Sequence, residues 1–227
     1  MTSHRLITRQ VSDGVQIVTM DAGENRLGPA FVAELRTALA DAAAAGGPLV
    51  LTGTGKVFCN GLDLDAMVAD PDSAAATMAA IHDVLAAVLS YPGATVAALN
   101  GHTFGAGAIL AAACDQRVMR ADRGFFCFPE VDLGLSMSVE FDAVLRSAYD
   151  TATLRQALLS GERYPGPAAA DIGLVDAVAA EDELTDRAVA IAAAFVGKDG
   201  ATITALRRPL CAEALAALAA TPAPSPA

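Results

Sequence analysis

The sequence predicts an α/β protein whose strands pair in parallel. Short runs rich in β-branched residues alternate with longer segments of helical periodicity as far as the segment FCFPEVDLGL, residues 126–135. Beyond Glu130 the chain reads as mostly helical. We therefore expect parallel strands in the first part of the chain and mainly helices in the second.

The first elements have clear boundaries. RLITRQ and GVQIVTMD are two β-rich runs joined by the turn-like VSDG, which predicts an opening hairpin. A helix is expected next, with Pro29 near its start and glycines at its end. PLVLTGTG predicts a buried strand that breaks into a glycine turn. The helix that follows, DSAAATMAAIHDVLAAVLSYPG, is expected to have Ser73 as its N-cap.

The remaining elements complete the alternation. ATVAALNG and QRVMRA predict strands on either side of the short helix GAGAILAAACD. The helices expected after Glu130 are VEFDAVLRSAYD, TATLRQALLSG, DELTDRAVAIAAAFVG and TITALRRPLCAEALAALAA, and Ser136 and Ser138 read as helix-start residues. The Pro-rich end, TPAPSPA, is expected to be disordered. There is no internal repeat.

Composition excludes several classes of function. Apolar residues make up 54% of the chain and charged residues 18%, which is typical of a globular protein. The formal net charge of -11 would repel nucleic acid phosphates. No run approaches the roughly 20 uncharged apolar residues of a membrane span, and MTSHRLITRQ lacks the apolar core of a signal peptide. We therefore expect no nucleic acid or membrane partner, and a cytoplasmic location.

Cysteine and histidine spacing argues against a metal site. Cys59, Cys114, Cys127 and Cys211 have no CxxC spacing and stand in apolar contexts, so they are interpreted as buried free thiols. The three histidines form no HxxH or HExxH pattern. We expect no metal ion.

The common catalytic and nucleotide-binding motifs are also absent. Lys56 is followed by valine and lacks the upstream glycine of a P-loop, while Gly101, Gly105 and Gly107 give GxxxGxG in mid-chain rather than GxGxxG after the first strand. No serine has the GxSxG context of a hydrolase nucleophile.

Two strand-to-helix turns remain as candidates for an oxyanion-binding site. Gly105-Ala106-Gly107 opens a helix, so its N–H groups have no intrahelical partners and favour negative charge. Gly61-Leu62-Asp63 can present amides in the same way. Two such amides that converge on one oxygen form an oxyanion hole. The alternative for each turn is that small residues only permit tight helix–strand packing.

Glu130 is the candidate acid or base. A carboxylate among Phe125, Phe126, Phe128 and Pro129 would be desolvated, which would raise its pKa toward the range useful for proton transfer. The alternative is a surface glutamate at a strand end. The competing carboxylates are Asp63, Asp65, Asp132, Glu140 and Asp142, of which Asp63 and Asp132 more plausibly cap or brace turns.

Taken together, four segments resemble the crotonase family, the enoyl-CoA hydratase/isomerase superfamily. KVFCNGLDL and ALNGHTFGAGAILAAACDQRVM look like its two oxyanion-hole segments, and FFCFPEVDLGL looks like its Pro-Glu strand. LLSGERYPGPAAADIGLVDAVA is similar to the helix-loop-helix that follows the active site. The resemblance runs from the N-terminus to about Gly197.

The resemblance implies a crotonase-like spiral of ββα turns over residues 1–197, followed by a short C-terminal helix and tail over 198–227. It also implies an acyl-CoA thioester substrate, no cofactor apart from the coenzyme A that the substrate carries, and a homotrimer or dimer of trimers. The oxyanion-hole donors would be the backbone N–H groups of Leu62 and Ala106. Residues expected to line the CoA or acyl channel are Arg26, Leu27, Cys59 and Gly61.

One departure from the family pattern narrows the chemistry. Hydratases of the family carry two glutamates, and the first falls here at Ile109, which cannot transfer a proton. A lone Glu130 fits the Δ3,Δ2-enoyl-CoA isomerases of fatty acid β-oxidation, in which one base takes a proton at C2 and returns it at C4. The alternatives are a hydratase with Glu140 as the second acid, another enolate reaction such as decarboxylation or thioester hydrolysis, and a non-catalytic acyl-CoA-binding scaffold. Met67, Met78 and Met137 suggest an apolar acyl pocket.

Overall fold

Residues 5–220 are described in the computed structural model, and they form two β-sheets among eleven helices. The strands are β1 (Ile7–Ser12), β2 (Val15–Met20), β3 (Leu49–Gly53), β4 (Val57–Cys59), β5 (Thr95–Leu99), β6 (His102–Phe104), β7 (Gln116–Arg120), β8 (Phe126–Cys127) and β9 (Ala177–Ala179). The helices are α1 (Pro29–Ala45), α2 (Leu64–Ala69), α3 (Pro71–Leu89), α4 (Ala106–Ala112), α5 (Glu130–Leu133), α6 (Val139–Ala148), α7 (Thr151–Ser160), α8 (Gly166–Asp171), α9 (Leu184–Ala193), α10 (Gly200–Arg207) and α11 (Ala212–Ala219).

The larger sheet has six strands in the order β1-β2-β3-β5-β7-β9. The predicted hairpin of β1 and β2 is confirmed. Its two turn residues, Asp13 and Gly14, both have positive φ (51° and 77°), as a tight hairpin turn requires. All other pairs in the sheet are parallel, as the alternation of strands and helices predicted.

The strands of the smaller sheet belong to a structural unit that occurs three times along the chain. It contains β4, β6 and β8, all parallel. Each of these strands directly follows a central strand of the larger sheet: β4 follows β3, β6 follows β5, and β8 follows β7. A helix comes after each short strand, so the chain repeats a ββα unit three times. This is the crotonase-like spiral that the resemblance implied.

The helices bury both faces of the larger sheet. One face carries Val18, Leu51 and Leu99, which belong to the main core together with residues of α1 and α3. The other face carries Val50 and Val96 and packs against α9 in a second cluster. Side chains alternate across a strand, so adjacent residues of one strand enter different cores.

Two helix boundaries differ from those predicted. The N-cap of α3 is Asp70 rather than Ser73, because Asp70 accepts the Ser73 N–H at 3.2 Å and Pro71 occupies the first helical position. The single helix expected over TITALRRPLCAEALAALAA is two helices, α10 and α11. Proline has no N–H and its ring clashes with the preceding turn, so Pro209 ends the first of them.

One helix, α3, is long and apolar enough to cross a membrane by length and composition alone, which the sequence interpretation had not recognised. In the structure of residues 5–220 it is a core helix. Ile81, Leu85 and Val88 are buried in the main core. Packing inside the protein therefore explains the apolar residues of its second half, whereas Ala75, Ala76 and Ala79 in the first half are exposed.

The C-terminal helices pack on the same core as the spiral. Helix α11 contacts α6 and α3, and its Ala214 and Leu218 are buried in the main cluster. The side chain of Arg207 in α10 reaches back to Tyr91, which precedes β5, and to Asp115, which directly precedes β7. The division of the chain at residue 197 stays a prediction, and the tail expected to be disordered, residues 221–227, lies outside the described residues.

Candidate active site

The two predicted oxyanion turns meet in the structure. A Cβ atom placed on Gly61 would lie 3.0 Å from the carbonyl oxygen of Phe104 and 3.4 Å from the nitrogen of Ala106. Gly61 has φ +82° and Gly105 has φ +50°, a region that L side chains rarely adopt. The two backbones therefore touch, and glycine is required in both turns for conformational reasons.

The N–H groups of Leu62 and Ala106 are free for a ligand. Leu62 follows Gly61, and Ala106 is the first residue of α4, where an N–H has no intrahelical acceptor. Within residues 5–220, neither N–H donates a hydrogen bond to a protein acceptor. Two unpartnered donors on touching turns can bind one oxygen together, which is the arrangement of an oxyanion hole.

Neighbouring backbone holds these turns in place. The Leu27 N–H donates to the Gly61 carbonyl at 2.8 Å, and Leu27 pairs with Leu62 as an isolated parallel bridge. On the other side, α4 lies so close to β4 that a Cβ on Gly107 would collide with the Cys59 carbonyl. Gly107 therefore serves tight packing between α4 and β4, as the alternative interpretation held. The N–H group of Ala106 remains available as a hydrogen-bond donor to a ligand.

Two buried asparagines that the sequence interpretation missed brace the same loops. The Asn25 side chain donates to the carbonyl oxygens of Val57 (3.2 Å) and Phe58 (3.0 Å). The Asn100 side chain accepts from the Gly53 N–H (3.0 Å) and also donates to Val57 (3.2 Å). A short polar side chain directly after the strand ATVAAL was the available signal for Asn100; nothing comparable marked Asn25.

Glu130 is the first residue of the one-turn helix α5 and not part of a Pro-Glu strand as the resemblance implied, because β8 stops at Cys127 and Pro129 precedes the helix. Its Oε1 would lie 3.6 Å from a Cβ on Gly105, so the carboxylate is next to the Ala106 turn. Its Oε2 is buried with no hydrogen-bond partner in the described part of the chain. Burial raises the pKa of Glu130, and its own backbone N–H opposes this shift in part. The predicted direction is confirmed.

The apolar surroundings of Glu130 differ from those expected. Phe126 and Phe128 are buried in the core, and Phe125 is 37% exposed; none of them lines the cavity. Of the expected neighbours only Pro129 lines the cavity, and its other apolar lining includes side chains that other elements bring in. These are Leu62, Phe104, Leu133, Met137 and Phe141.

The site is a cavity of about 500 Å³. Of the residues predicted for it, Arg26, Gly61, Leu62, Ala106 and Glu130 line the cavity. Leu27 and Cys59 do not: both are buried behind the lining, and the Cys59 thiol donates to the Asn25 carbonyl at 3.0 Å. Of the three methionines, Met137 lines the cavity, whereas Met67 and Met78 do not.

Charged side chains stand at the solvent side of the cavity. Arg26 contacts Glu24 at 2.7 Å and Asp65 at 3.1 Å. The side chains of Arg26 and Asp65 are 37% and 92% exposed, so this is a surface ion pair of little energetic weight. Arg26 can exchange these partners for an anionic ligand at small cost.

The other carboxylate among the described lining residues is Asp65, which is 92% exposed and paired with Arg26, so Glu130 is the only half-buried carboxylate there. Ile109 is completely buried in α4. Glu140 stands in the first turn of α6 outside the lining, and its pKa is lowered by its own backbone N–H, the Ser138 hydroxyl and nearby His82. Asp63 caps α2 by accepting the Ala66 N–H at 3.2 Å, as predicted.

The four cysteines are free and buried, as predicted. Burial raises the pKa of the Cys59 thiol to about 12 and that of Cys127 to about 11, so both stay protonated and unreactive near neutral pH. Over residues 5–220, no group of three or more His, Cys, Asp or Glu side chains is arranged to hold a metal ion.

Comparison with known proteins agrees with this geometry. The family model for enoyl-CoA hydratase/isomerase matches residues 10–222. Enoyl-CoA delta isomerase 2, peroxisomal, of Arabidopsis thaliana is 40% identical over 171 residues, 71% of each chain. Enoyl-CoA hydratase AKT6-1 of Alternaria alternata is 36% identical over 135 residues, 60% of this chain and 44% of that protein.

Solved structures agree as well. The apo structure of an enoyl-CoA isomerase of Mycobacterium tuberculosis superposes with a TM-score of 0.86 at 27% identity, covering 94% of both chains. Human mitochondrial delta3-delta2-enoyl-CoA isomerase, at 21% identity and a TM-score of 0.86, shares the fold over 93% of this chain and 85% of that one. With the paired turns, Glu130 and the ββα spiral, these matches show that the chain belongs to the enoyl-CoA hydratase/isomerase family.

Proposed function

We propose that the protein is an enoyl-CoA isomerase that moves the double bond of a 3-enoyl-CoA thioester to the trans-2 position. The observation that carries this proposal is the position of Glu130. It is a single half-buried carboxylate beside the Ala106 turn, in a cavity that offers no second proton-transfer group of comparable burial. The 40% identity with an Arabidopsis enoyl-CoA delta isomerase supports it.

The proposed reaction needs one base and one oxyanion hole. The thioester oxygen accepts hydrogen bonds from the N–H groups of Leu62 and Ala106, and the Glu130 carboxylate removes a proton from C2. The electron pair of that C–H bond forms a dienolate, whose negative charge on oxygen the two amides stabilise by several kcal/mol. Glu130 then returns the proton to C4, the double bond forms between C2 and C3, and the carboxylate is regenerated.

The environment of Glu130 suits a base that must take a weakly acidic proton. A desolvated carboxylate binds a proton more readily than one in water, so its raised pKa makes it the stronger base. Glu130 Oε2 has no partner among the described residues, so no hydrogen bond has to break before the proton is transferred.

The first test is to incubate the purified protein with trans-3-hexenoyl-CoA and to follow the conjugated thioester by its ultraviolet absorbance. trans-2-Hexenoyl-CoA is assayed for hydration in parallel. Conjugation without hydration is the expected result. A protein that binds both thioesters and converts neither would contradict the proposal and favour another enolate reaction or a binding scaffold.

The second candidate function is hydration, because relatives named as enoyl-CoA hydratases match part of the chain. Water addition requires a second acid, for which Glu140 was the sequence candidate. The lowered pKa of Glu140 and its place outside the cavity lining disfavour that role. If the wild-type protein hydrates trans-2-hexenoyl-CoA and Glu140→Gln does not, Glu140 is the second acid and the protein is a hydratase.

The remaining expectations accompany this proposal. Coenzyme A enters and leaves as part of the substrate, so no separate cofactor is needed, and a place in fatty acid β-oxidation follows from the chemistry. We propose a homotrimer or dimer of trimers, for which the exposed apolar residues Val131, Leu133, Val139 and Leu159 offer contact surface. Sedimentation equilibrium tests the assembly, and cell fractionation tests the expected cytoplasmic location.

A further inference from the structure

Phe141 is the most deeply buried of the large apolar side chains that line the cavity within residues 5–220. The polar end of the cavity is exposed, with Arg26 and Asp65 at its rim. Leu64 and Leu133 are 44% and 58% exposed, whereas Phe141 is only 7% exposed. Among the described residues of the lining, it is the only large apolar side chain that is buried.

The Phe141 ring is supported from behind by an aromatic ring of another helix. His82 of α3 meets Phe141 edge-to-face, with 5.8 Å between ring centroids and 85° between ring planes. Such a contact holds both rings in one orientation. The backbone is also fixed, because the Phe141 N–H donates to the Ser138 hydroxyl that caps α6, at 3.3 Å. Phe141 is therefore a rigid wall.

His82 behaves as an uncharged core residue. Its side chain is 6% exposed, and no partner for its Nε2 exists within residues 5–220. Burial lowers the pKa of His82, although Glu140 and Asp83 oppose this effect. A buried, neutral ring therefore stands against Phe141 on the side of α3.

We propose that Phe141, supported by His82, ends the acyl part of the cavity and sets the longest acyl chain that the site accepts. The inference rests on the proposed function in one respect: the thioester oxygen must lie at the N–H groups of Leu62 and Ala106. With that oxygen fixed, the acyl chain can extend only along the apolar lining toward Phe141. A chain that is too long must displace the ring or leave its end in water.

The test measures binding of saturated acyl-CoAs from butanoyl to hexadecanoyl by calorimetry. Saturated thioesters have no double bond to move, so the measurement does not depend on turnover. The Phe141→Ala variant should bind acyl-CoAs with longer acyl chains tightly than the wild type does. For the first chain that the wild type rejects, the Kd should fall by about 10-fold or more, because one methylene in an apolar pocket has effects of this size.

The opposite substitution, Phe141→Trp, should shift the preference toward shorter chains. The chain contains no tryptophan, so the new indole is the only one present and its emission reports acyl groups that reach it. Phe141→Leu serves if the alanine variant does not fold. Length preferences identical to the wild type in Phe141→Ala, Phe141→Leu and Phe141→Trp would overturn the inference.

Two sets of control variants distinguish a specific effect of Phe141 on acyl-chain length from an effect of removing any aromatic ring. Phe195→Ala removes a half-buried ring that contacts Lys198 after α9, far from the lining, and should leave the length preference unchanged. His82→Phe keeps a ring behind Phe141 and should preserve the preference, whereas His82→Ala should lengthen it. A shift in binding without any isomerisation would overturn the proposed function alone, and isomerisation without a shift would overturn only the role of Phe141.

Discussion

The guanidinium of Arg207 binds both carboxylate oxygens of Asp115, at 2.7 and 2.6 Å, across 92 residues of sequence. Arg207 also donates to the Tyr91 carbonyl at 2.6 Å, and Asp115 accepts the Thr95 N–H at 2.8 Å. The Arg207 side chain is 9% exposed. This network joins α10 to the starts of β5 and β7, so it attaches the C-terminal helices to the spiral.

Arg207→Ala should destabilise the protein by about 1–3 kcal/mol, because it leaves the buried carbonyls of Tyr91 and Gly93 without their donor, whereas the partly exposed Asp115 keeps its hydrogen bonds from Thr95. Arg207→Lys should recover only part of this loss, since an ammonium cannot form the two parallel hydrogen bonds of a guanidinium. Urea unfolding followed by circular dichroism measures both. The adjacent Arg208 is exposed, so Arg208→Ala is the matched control and should change stability little. Equal losses at both arginines would contradict the network's role.

Glu130→Gln should lower kcat for the isomerisation by at least about 100-fold, the usual contribution of a positioned acid–base group. The amide keeps the size of the side chain but cannot take a proton from C2. Acyl-CoA binding should be retained, because the N–H groups of Leu62 and Ala106 are unchanged. Stopped assays with 3-hexenoyl-CoA give the rate, and calorimetry gives the affinity. A variant that keeps wild-type turnover would remove Glu130 from the mechanism.

The same substitution should raise the melting temperature at pH 7. The pKa of Glu130 is higher in the folded than in the unfolded chain, so the ionised carboxylate destabilises the folded protein above the ordinary value of 4.5. Removing the charge removes that cost. The advantage of the variant should shrink as the pH falls through the raised pKa of Glu130 toward 4.5, and it should vanish below 4.5, where the wild-type group is protonated in both states. Calorimetric scans across this range check the sign.

The pH dependence of kcat/KM should report the same group. Glu130 must be ionised to accept the proton, so activity should fall on the acid side, through the pKa of Glu130 in the free enzyme. Burial places that pKa above the ordinary value of 4.5. Initial rates at low substrate concentration across the acidic range test this. An acid limb centred below 4.5 would argue that another group is the base.

Gly61→Ala should lower kcat/KM by about 100-fold, the scale of one lost oxyanion-hole donor. Its new methyl group would lie 3.4 Å from the Ala106 nitrogen and crowd the place of the thioester oxygen. Gly55 is the matched control: it also has positive φ, +65°, but its Cβ would face open space. Both alanines should cost about 1–2 kcal/mol in stability from backbone strain. Only Gly61→Ala should impair catalysis.

Much of the fold was predictable because its signals are local. The hairpin around Asp13-Gly14, helix α1 after Pro29 and the buried central strands follow from turn chemistry and periodicity. The errors were also local. Ser73 and Asp70 are both good N-cap residues, and only the position of Pro71 in the helix decides between them. The break at Pro209 was visible in the sequence, but the helical segments on its two sides, TITALRR and CAEALAALAA, were interpreted as one helix.

The sequence allowed us to predict the groups proposed to react with the substrate, but not the apolar side chains that line the cavity around them. The turn that opens α4 and the carboxylate of Glu130 stand in recognisable motifs. The surroundings of that carboxylate do not: its neighbours in sequence, Phe126 and Phe128, are buried in the core, while Phe104 and Phe141 come from other elements to line the same cavity. The bracing role of Asn25 depends on carbonyl groups 32 and 33 residues away.

By itself, the sequence determined the repeated order of strands and helices and the two glycine turns. It also determined that Glu130 has no second glutamate beside it, because Ile109 occupies the position of the first glutamate of the family's hydratases. Only the tertiary structure decided that the turns touch, that Arg26 and Asp65 pair at the rim, and that Phe141 rests on His82. The reason is physical. Dihedral preferences and periodicity act within a few residues, whereas desolvation and packing depend on which distant side chains share one volume.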